Sequence, residues 1–120
     1  MAEKIGSKFV SVTSDSNVVT KLIDPATNTT GVTIRTATMH MGQGYSLLFS
    51  GTAAPGNVRG VANPVVLSCR GGANASSNFV AGAAVTLPYP IAIPAGQGLW
   101  FAKTSTSDEA GVYLTYDVGA

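Results

Sequence analysis

Hydrophobic and polar residues alternate with a period of two over short stretches of this chain, as in half-buried β-strands. Val32 and Ile34, for example, alternate with Thr33 and Arg35. Apolar residues nowhere recur at helical spacing for three turns, so the pattern predicts an all-β fold. The predicted strands are 8–13, 18–23, 31–41, 45–49, 58–69 (one bent or two short strands), 84–87, 90–93, 99–104 and 112–118.

Turn-forming residues separate these segments, because 14 Gly and 6 Pro are spread along the chain. Pro64 has no backbone amide, so it predicts an edge, a bend or a bulge within 58–69. At 120 residues and 12.2 kDa the chain is expected to form one domain, 8–120, of eight or nine antiparallel strands. A sandwich, a jelly roll and a small barrel all fit strands of this length and spacing.

Three polar or glycine-rich loops and the N-terminus stand out as candidate binding segments. The loops are 53–57, 71–79 and the hairpin 105–110. The second of them is part of a longer low-complexity loop, 71–82, in which Phe79 and Val80 are the large apolar side chains, and we expect these two to attach the loop to the core or to a neighbour. Residues 1–7 are expected to form an arm.

Composition adds a functional argument. Only 11% of the residues are charged, against roughly a quarter in an average soluble protein, and 45% are hydrophobic. A surface so poor in charge is usually covered by a partner or by another copy of the chain. The net charge of +1 provides no basic patch for nucleic acid or for an acidic membrane. With no signal peptide and no apolar stretch of about 20 residues, the sequence predicts synthesis in the cytoplasm and no membrane partner.

The residues that carry chemistry are few and scattered. His40 has no second histidine with which to build a metal site, and no nucleophile-elbow motif marks a serine for it to activate. Cys69 follows an apolar run and is interpreted as a small core residue. Asp108 and Glu109 are adjacent, so on a strand they would face opposite ways, unlike the acid and nucleophile of a glycosidase. The sequence therefore predicts no catalytic, cofactor-binding or metal-binding residue, and no enzyme.

Five aromatic residues fall in the last 32 positions of the chain: Tyr89, Trp100, Phe101, Tyr113 and Tyr116. In some proteins such a cluster forms a sugar-binding platform, but clustered aromatic residues more often contribute to the core and to oligomer contacts.

Two segments resemble a known class of protein. They are 90–101, which reads PIAIPAGQGLWF and precedes a final strand at 111–118, and 28–37, which reads NTTGVTIRTA. Both resemble segments of the small jelly-roll head decoration, or cement, proteins of tailed bacteriophage virions. The resemblance covers about a third of the chain.

The resemblance implies a jelly-roll-like β-sandwich that acts as a capsid decoration protein. Such a protein is a homotrimer on the capsid exterior, stabilises the lattice of the major capsid protein, and makes no direct contact with nucleic acid. The candidate partner contacts are Lys4, Ile5, Pro55, Asn57, Phe79, Trp100 and Asp108. An alternative is a carbohydrate-binding jelly-roll module of a phage tail or fibre, with Trp100, Tyr89 or Tyr113 as the platform. A small cupin-like enzyme is the weakest alternative.

Overall fold

The computed structural model describes residues 4–13, 19–42, 44–56, 63–73, 80–103 and 110–119. These residues form ten strands and no helix. The strands are β1 (Lys8–Thr13), β2 (Val19–Ile23), β3 (Val32–Met41), β4 (Gly44–Gly51), β5 (Val65–Ala73), β6 (Val80–Ala81), β7 (Ala83–Thr86), β8 (Ile91–Ile93), β9 (Gly98–Lys103) and β10 (Ala110–Val118).

The first sheet has the antiparallel order β1-β10-β3-β7, and β8 also pairs with β3. β7 pairs with one end of β3 and β8 with the other end, so the two behave as one interrupted strand. Pro88 and Pro90 lie in the interruption and have no amide to donate to β3. Leu87 still donates its amide to the Ala37 carbonyl oxygen at 2.9 Å, which keeps the strand in place up to the break.

The second sheet has the order β2-β9-β4-β5-β6, also antiparallel. If β7 and β8 count as one strand and the two-residue β6 as an extension, eight strands form two four-stranded sheets with jelly-roll connections. The prediction of an all-β, jelly-roll-like sandwich of eight or nine antiparallel strands is thus confirmed.

The core lies between the sheets and is filled by the inward-facing residues of each strand. Ile34 and Met39 on the first sheet and Leu48 and Phe101 on the second are at most 2% exposed. Cys69 is also buried in this core, as the sequence predicted, and burial raises the pKa of its thiol. This pKa shift keeps the thiol protonated, in agreement with a packing role.

One part of the strand prediction needs correction. The loop predicted at 71–82 is too long, because β5 continues to Ala73 and pairs with Val80 and Ala81 of β6. The sequence does not indicate this short ladder, since its small residues show no alternation of apolar and polar side chains. Of the segment 58–69, predicted as one bent or two short strands, β5 contains the residues from Val65 onward, directly after Pro64, and residues 57–62 lie outside the described part of the chain.

Asn28 joins two connections that cross between the sheets, one before β3 and one before β9. Its side-chain amide donates to the carbonyl oxygens of Pro94 at 2.9 Å and Gln97 at 2.8 Å, and its side-chain oxygen accepts from the Gly31 amide at 2.9 Å. The Gly96 amide in turn donates to the Asn28 backbone carbonyl at 2.7 Å. The two segments that resemble phage decoration proteins therefore contact each other, and Asn28, 3% exposed, has a structural role.

Candidate interaction surface

The outward side of the first sheet presents mainly hydroxyl groups and rings, with the charged pair Arg35 and Asp117 at one end. We call the part of this side without Lys, Arg, Asp or Glu side chains the threonine face. It consists of Phe9, Ser11 and Thr13 on β1, Gly111, Tyr113 and Thr115 on β10, Thr36, Thr38 and His40 on β3, and Ala84 and Thr86 on β7. The register places these residues in rows across four strands, while sequence neighbours such as Val112, Leu114 and Met39 point into the core.

Two rings form a stacked pair in the middle of the threonine face. The centroids of His40 and Tyr113 are 5.7 Å apart with an angle of 20° between the ring planes. The imidazole lies over Gly111, where a Cβ atom would collide with its Nε2. Gly111 therefore lets the His40 ring lie close to the sheet, and Tyr113 remains 44% exposed beside it. On β1, Phe9 is 77% exposed.

Residues 4–7 run across the end of the threonine face. The Gly6 amide donates to Thr115 Oγ1 at 2.9 Å, and the Ser7 amide donates to Asp117 Oδ1 at 2.8 Å. Asp117 Oδ2 also accepts from Arg35 Nε at 2.9 Å. The Ser7 amide and then the Arg35 guanidinium lower the pKa of Asp117 to about 2, so its carboxylate is charged at neutral pH.

A bulge separates this ion pair from the threonine face. The register between β3 and β10 shifts between Thr115 and Tyr116, which turns Arg35 and Thr36 both outward. The two hydroxyl oxygens of Thr36 and Thr115 lie 2.6 Å apart just before the shift. Arg35 and Asp117, beyond it, pair with each other and form a neutral end to the surface.

The outward side of the second sheet is different, because it carries a second apolar cluster. Phe49 and Ala102 are fully buried there, with Val19, Tyr45 and Leu47 packed against them. The guanidinium of Arg70 lies 4.5 Å from the centre of the Tyr45 ring, in the range of a cation–π contact. Phe49 and Ala102 on this outward side are therefore protected within a single chain, whereas Arg70 and Val65 on β5 are exposed.

The structure distributes the predicted partner contacts over very different environments. Lys4 is exposed and Ile5 is 71% exposed, whereas Pro55 is buried. Trp100 pairs with Phe49 across the second sheet and is only 4% exposed, so its ring is covered in the single chain. Asn57, Phe79 and Asp108 lie outside the described residues.

Sequence reasoning missed the threonine face as a surface. The signal was present on β3, where Thr36, Thr38 and His40 alternate with buried residues. The β-branched threonines of this strand indicate a strand, but the sequence does not show which strands are its neighbours in the sheet. Phe9 therefore had no visible relation to Tyr113, which is more than 100 positions away in the chain.

Few titratable side chains lie close together among the described residues. Among the described residues, no three His, Cys, Asp or Glu side chains cluster as metal ligands would. A surface groove of about 300 Å³ contains Lys21 and Asp24, whose side chains pair at 3.0 Å, along with Tyr116. The described part of the chain contains no helix that is long and apolar enough to cross a membrane.

Comparison with solved structures identifies a phage protein with a similar fold. A pentameric capsid protein isolated from metagenomic phage sequences aligns with 90% of this chain at a TM-score of 0.50 and 10% identity. The chain covers 61% of the length of that capsid protein. A protein from Bacillus halodurans aligns with 92% of this chain and 65% of its own length at 14% identity, but its TM-score is only 0.22. No protein-family model and no curated protein sequence matches the chain.

Proposed function

We propose that this protein is a non-enzymatic structural component of a phage virion, a capsid decoration protein that binds the outside of the head as a homotrimer. Its partner is the major capsid protein, whose lattice it stabilises after synthesis in the host cytoplasm. The observation that carries the proposal is the fold likeness to a phage capsid protein, at a TM-score of 0.50. The two sequence segments that resemble decoration proteins support it independently.

The surface chemistry supports assembly over catalysis. The threonine face has hydroxyls and rings but no Lys, Arg, Asp or Glu side chain among its described positions, so covering it takes no ammonium, guanidinium or carboxylate group out of water. A homotrimer attached to a repeating lattice gains avidity, because three weak contacts act together. Lys4 and Ile5, both exposed beside the threonine face, are the described residues of the arm that we assign to lattice contact.

Immunogold electron microscopy of purified virions tests this proposal, with antibodies raised against the purified chain. The proposal predicts gold particles distributed over the surface of intact heads. Labelling confined to tails or fibres, or no labelling of virions, would contradict it. Ile5→Ser removes an exposed apolar side chain and is expected to weaken head binding while the melting temperature stays unchanged.

A second candidate function is a carbohydrate-binding module of a tail or fibre. The observation in its favour is the exposure of two tyrosine rings, Tyr89 at 66% and Tyr113 at 44%. Exposed aromatic rings are the side chains on which sugars stack, and the burial of Trp100 moves the candidate platform to these tyrosines. This function predicts that Tyr89→Ala or Tyr113→Ala abolishes retention on a glycan array without loss of stability.

A further inference from the structure

We propose that the threonine face is the surface by which one copy of this chain binds another. The inference rests on the proposed function, since a decoration protein of this kind is a homo-oligomer, and it assigns the contact to one surface. The occupant is a second copy of this chain in the homotrimer, whose own threonine face meets this one beside the threefold axis.

The first argument is the chemistry of the hydroxyl group. A Thr or Ser hydroxyl both donates and accepts a hydrogen bond, so a surface rich in hydroxyls is complementary to a copy of itself. Thr36 and Thr115 already show such a pair within the chain, with their oxygens 2.6 Å apart. A surface of lysines or carboxylates lacks this property, because it would repel its copy.

The second argument is the position of the exposed apolar side chains. Phe9 and Tyr113 belong to the threonine face, whereas the exposed Val65, Tyr89 and Val118 lie elsewhere. Aromatic rings surrounded by polar groups are typical of protein interfaces. Phe49 and Ala102 on the outward side of the second sheet, by contrast, are already buried in the single chain.

The third argument is area. The face spans five residues on each of β1, β10 and β3 and three on β7. With strands about 4.8 Å apart and about 3.3 Å per residue, its plan area is roughly 300 Å². The accessible area is larger than this, because side chains stand up from the sheet. The contact is nevertheless smaller than the approximately 800 Å² that each partner buries in an interface of standard size, which agrees with weak contacts that act together in a lattice-bound trimer.

A neutral sugar is the rival occupant, but the ring geometry favours a protein. One side of the Tyr113 ring is occupied by His40 in the stacked pair, so the ring does not offer an open platform on that side. The hydroxyls are spread over four strands instead of being gathered around one ring.

Sedimentation of matched variants tests the assignment. Thr38 lies on the central strand of the threonine face, between Tyr113 and Thr86, and its side chain is exposed. Thr38→Lys brings uncompensated like charges into the interface and is expected to weaken self-association at least 100-fold. The control is Thr52→Lys, which adds the same charge at an exposed position in the loop after β4. Phe9→Ser is a second variant that removes an apolar contact without adding charge.

The expected result is an oligomer for the wild type and Thr52→Lys, and dissociation for Thr38→Lys and Phe9→Ser, with unchanged circular dichroism. An oligomer that survives both threonine-face variants would overturn the assignment and leave the decoration proposal standing. A wild-type protein that stays monomeric at high concentration would also overturn the assignment. If that monomer were retained on neutral glycans, a sugar would be the favoured ligand of the threonine face. If Thr38→Lys and Phe9→Ser both abolished self-association but immunogold labelling found no protein on the heads, only the decoration role would be overturned.

Discussion

The outward sides of the two sheets have opposite characters although both belong to one thin sandwich. On the second sheet, Phe49 and Ala102 are fully buried and Arg70 packs over the Tyr45 ring. On the first sheet, the threonine face leaves Phe9 77% exposed and carries no Lys, Arg, Asp or Glu side chain among its described positions. The chain thus buries the outward Phe49 ring of one sheet by itself and leaves the outward Phe9 ring of the other exposed.

This difference shows which part of the surface the low charge of the sequence concerns. With 11% charged residues, the chain is expected to have a surface that a partner covers, but composition does not say which surface this is. We assign it to the first sheet, because Phe49 and Ala102 on the outward side of the second sheet are buried within the chain. We therefore expect stability to depend on the second sheet's outward side and assembly to depend on the first.

The largest test of this contrast compares two phenylalanines on outward sides. Phe49→Ala removes a fully buried ring and should lower the free energy of unfolding by about 3–5 kcal/mol, by loss of transfer energy and creation of a cavity. Phe9→Ala removes a ring that is exposed in the single chain and should change the free energy of unfolding by less than about 0.5 kcal/mol at a protein concentration low enough for the wild type to be monomeric. Denaturant unfolding of both variants measures the difference, and equal losses would show that the two outward sides do not differ as described.

Asn28→Asp tests the connection that holds the two sheets in register. The aspartate keeps the shape but loses both hydrogen bonds donated to the Pro94 and Gln97 carbonyls. We expect a loss of about 2–3 kcal/mol in denaturant unfolding, since buried acceptors are left without donors. Thr29→Ala, at the exposed neighbouring position, is the control and should stay within about 0.5 kcal/mol of wild type. If Asn28→Asp matched that control, Asn28 would have no structural role.

Gly111→Ala sharpens the description of the threonine face itself. The added Cβ would collide with the His40 imidazole and approach the Val12 carbonyl oxygen to 2.8 Å. Because one of these neighbours is backbone, we expect a loss of about 1–3 kcal/mol and displacement of His40 from its stack on Tyr113. Thermal unfolding and the NMR shifts of the His40 ring report the two effects. Gly56→Ala is the control, because a Cβ there meets nothing within 4 Å, and it should change neither the thermal unfolding nor the NMR shifts of the His40 ring.

The smallest expected effect is a dependence of stability on acid pH. The pKa of Asp117 is about 2 in the folded chain against an ordinary value of 3.8, so its contribution is complete above pH 4 and is lost as pH falls from about 4 to about 2. Asp117→Asn should therefore lose less stability than wild type over this window. Some acid sensitivity should remain in the variant, because the pKa of Asp24 is also lowered, by the Ala26 amide and by Lys21. Parallel pH profiles for the two proteins would exclude a contribution from Asp117.

The fold was largely predictable because strand alternation is a local signal. The predicted strand 8–13 coincides with β1, and 31–41 differs from β3 by one residue. The extension of β5 through Gly71 to Ala73 was not predictable, since these small residues read as a loop. In each of these cases the sequence within a few positions decided the result.

The candidate surface was less predictable because it depends on which strands are neighbours. Phe49 and Phe9 both lie on outward sides, and nothing in their local sequence distinguishes a covered ring from an exposed one. Trp100 was predicted as a partner contact for the same reason, yet its ring is covered. Only the order of the strands brings β1, β10 and β3 together into one uncharged surface.

Thiol labelling at the centre of the threonine face tests the central claim most directly. Cys69 is buried and provides a low background, so a single exposed cysteine introduced by Thr38→Cys reports the accessibility of this surface, with Thr52→Cys as its control. The claim predicts that maleimide modifies the Thr38→Cys thiol more slowly as protein concentration rises, while the control rate stays constant. Equal, concentration-independent rates at the two positions, in a protein that self-associates, would contradict it.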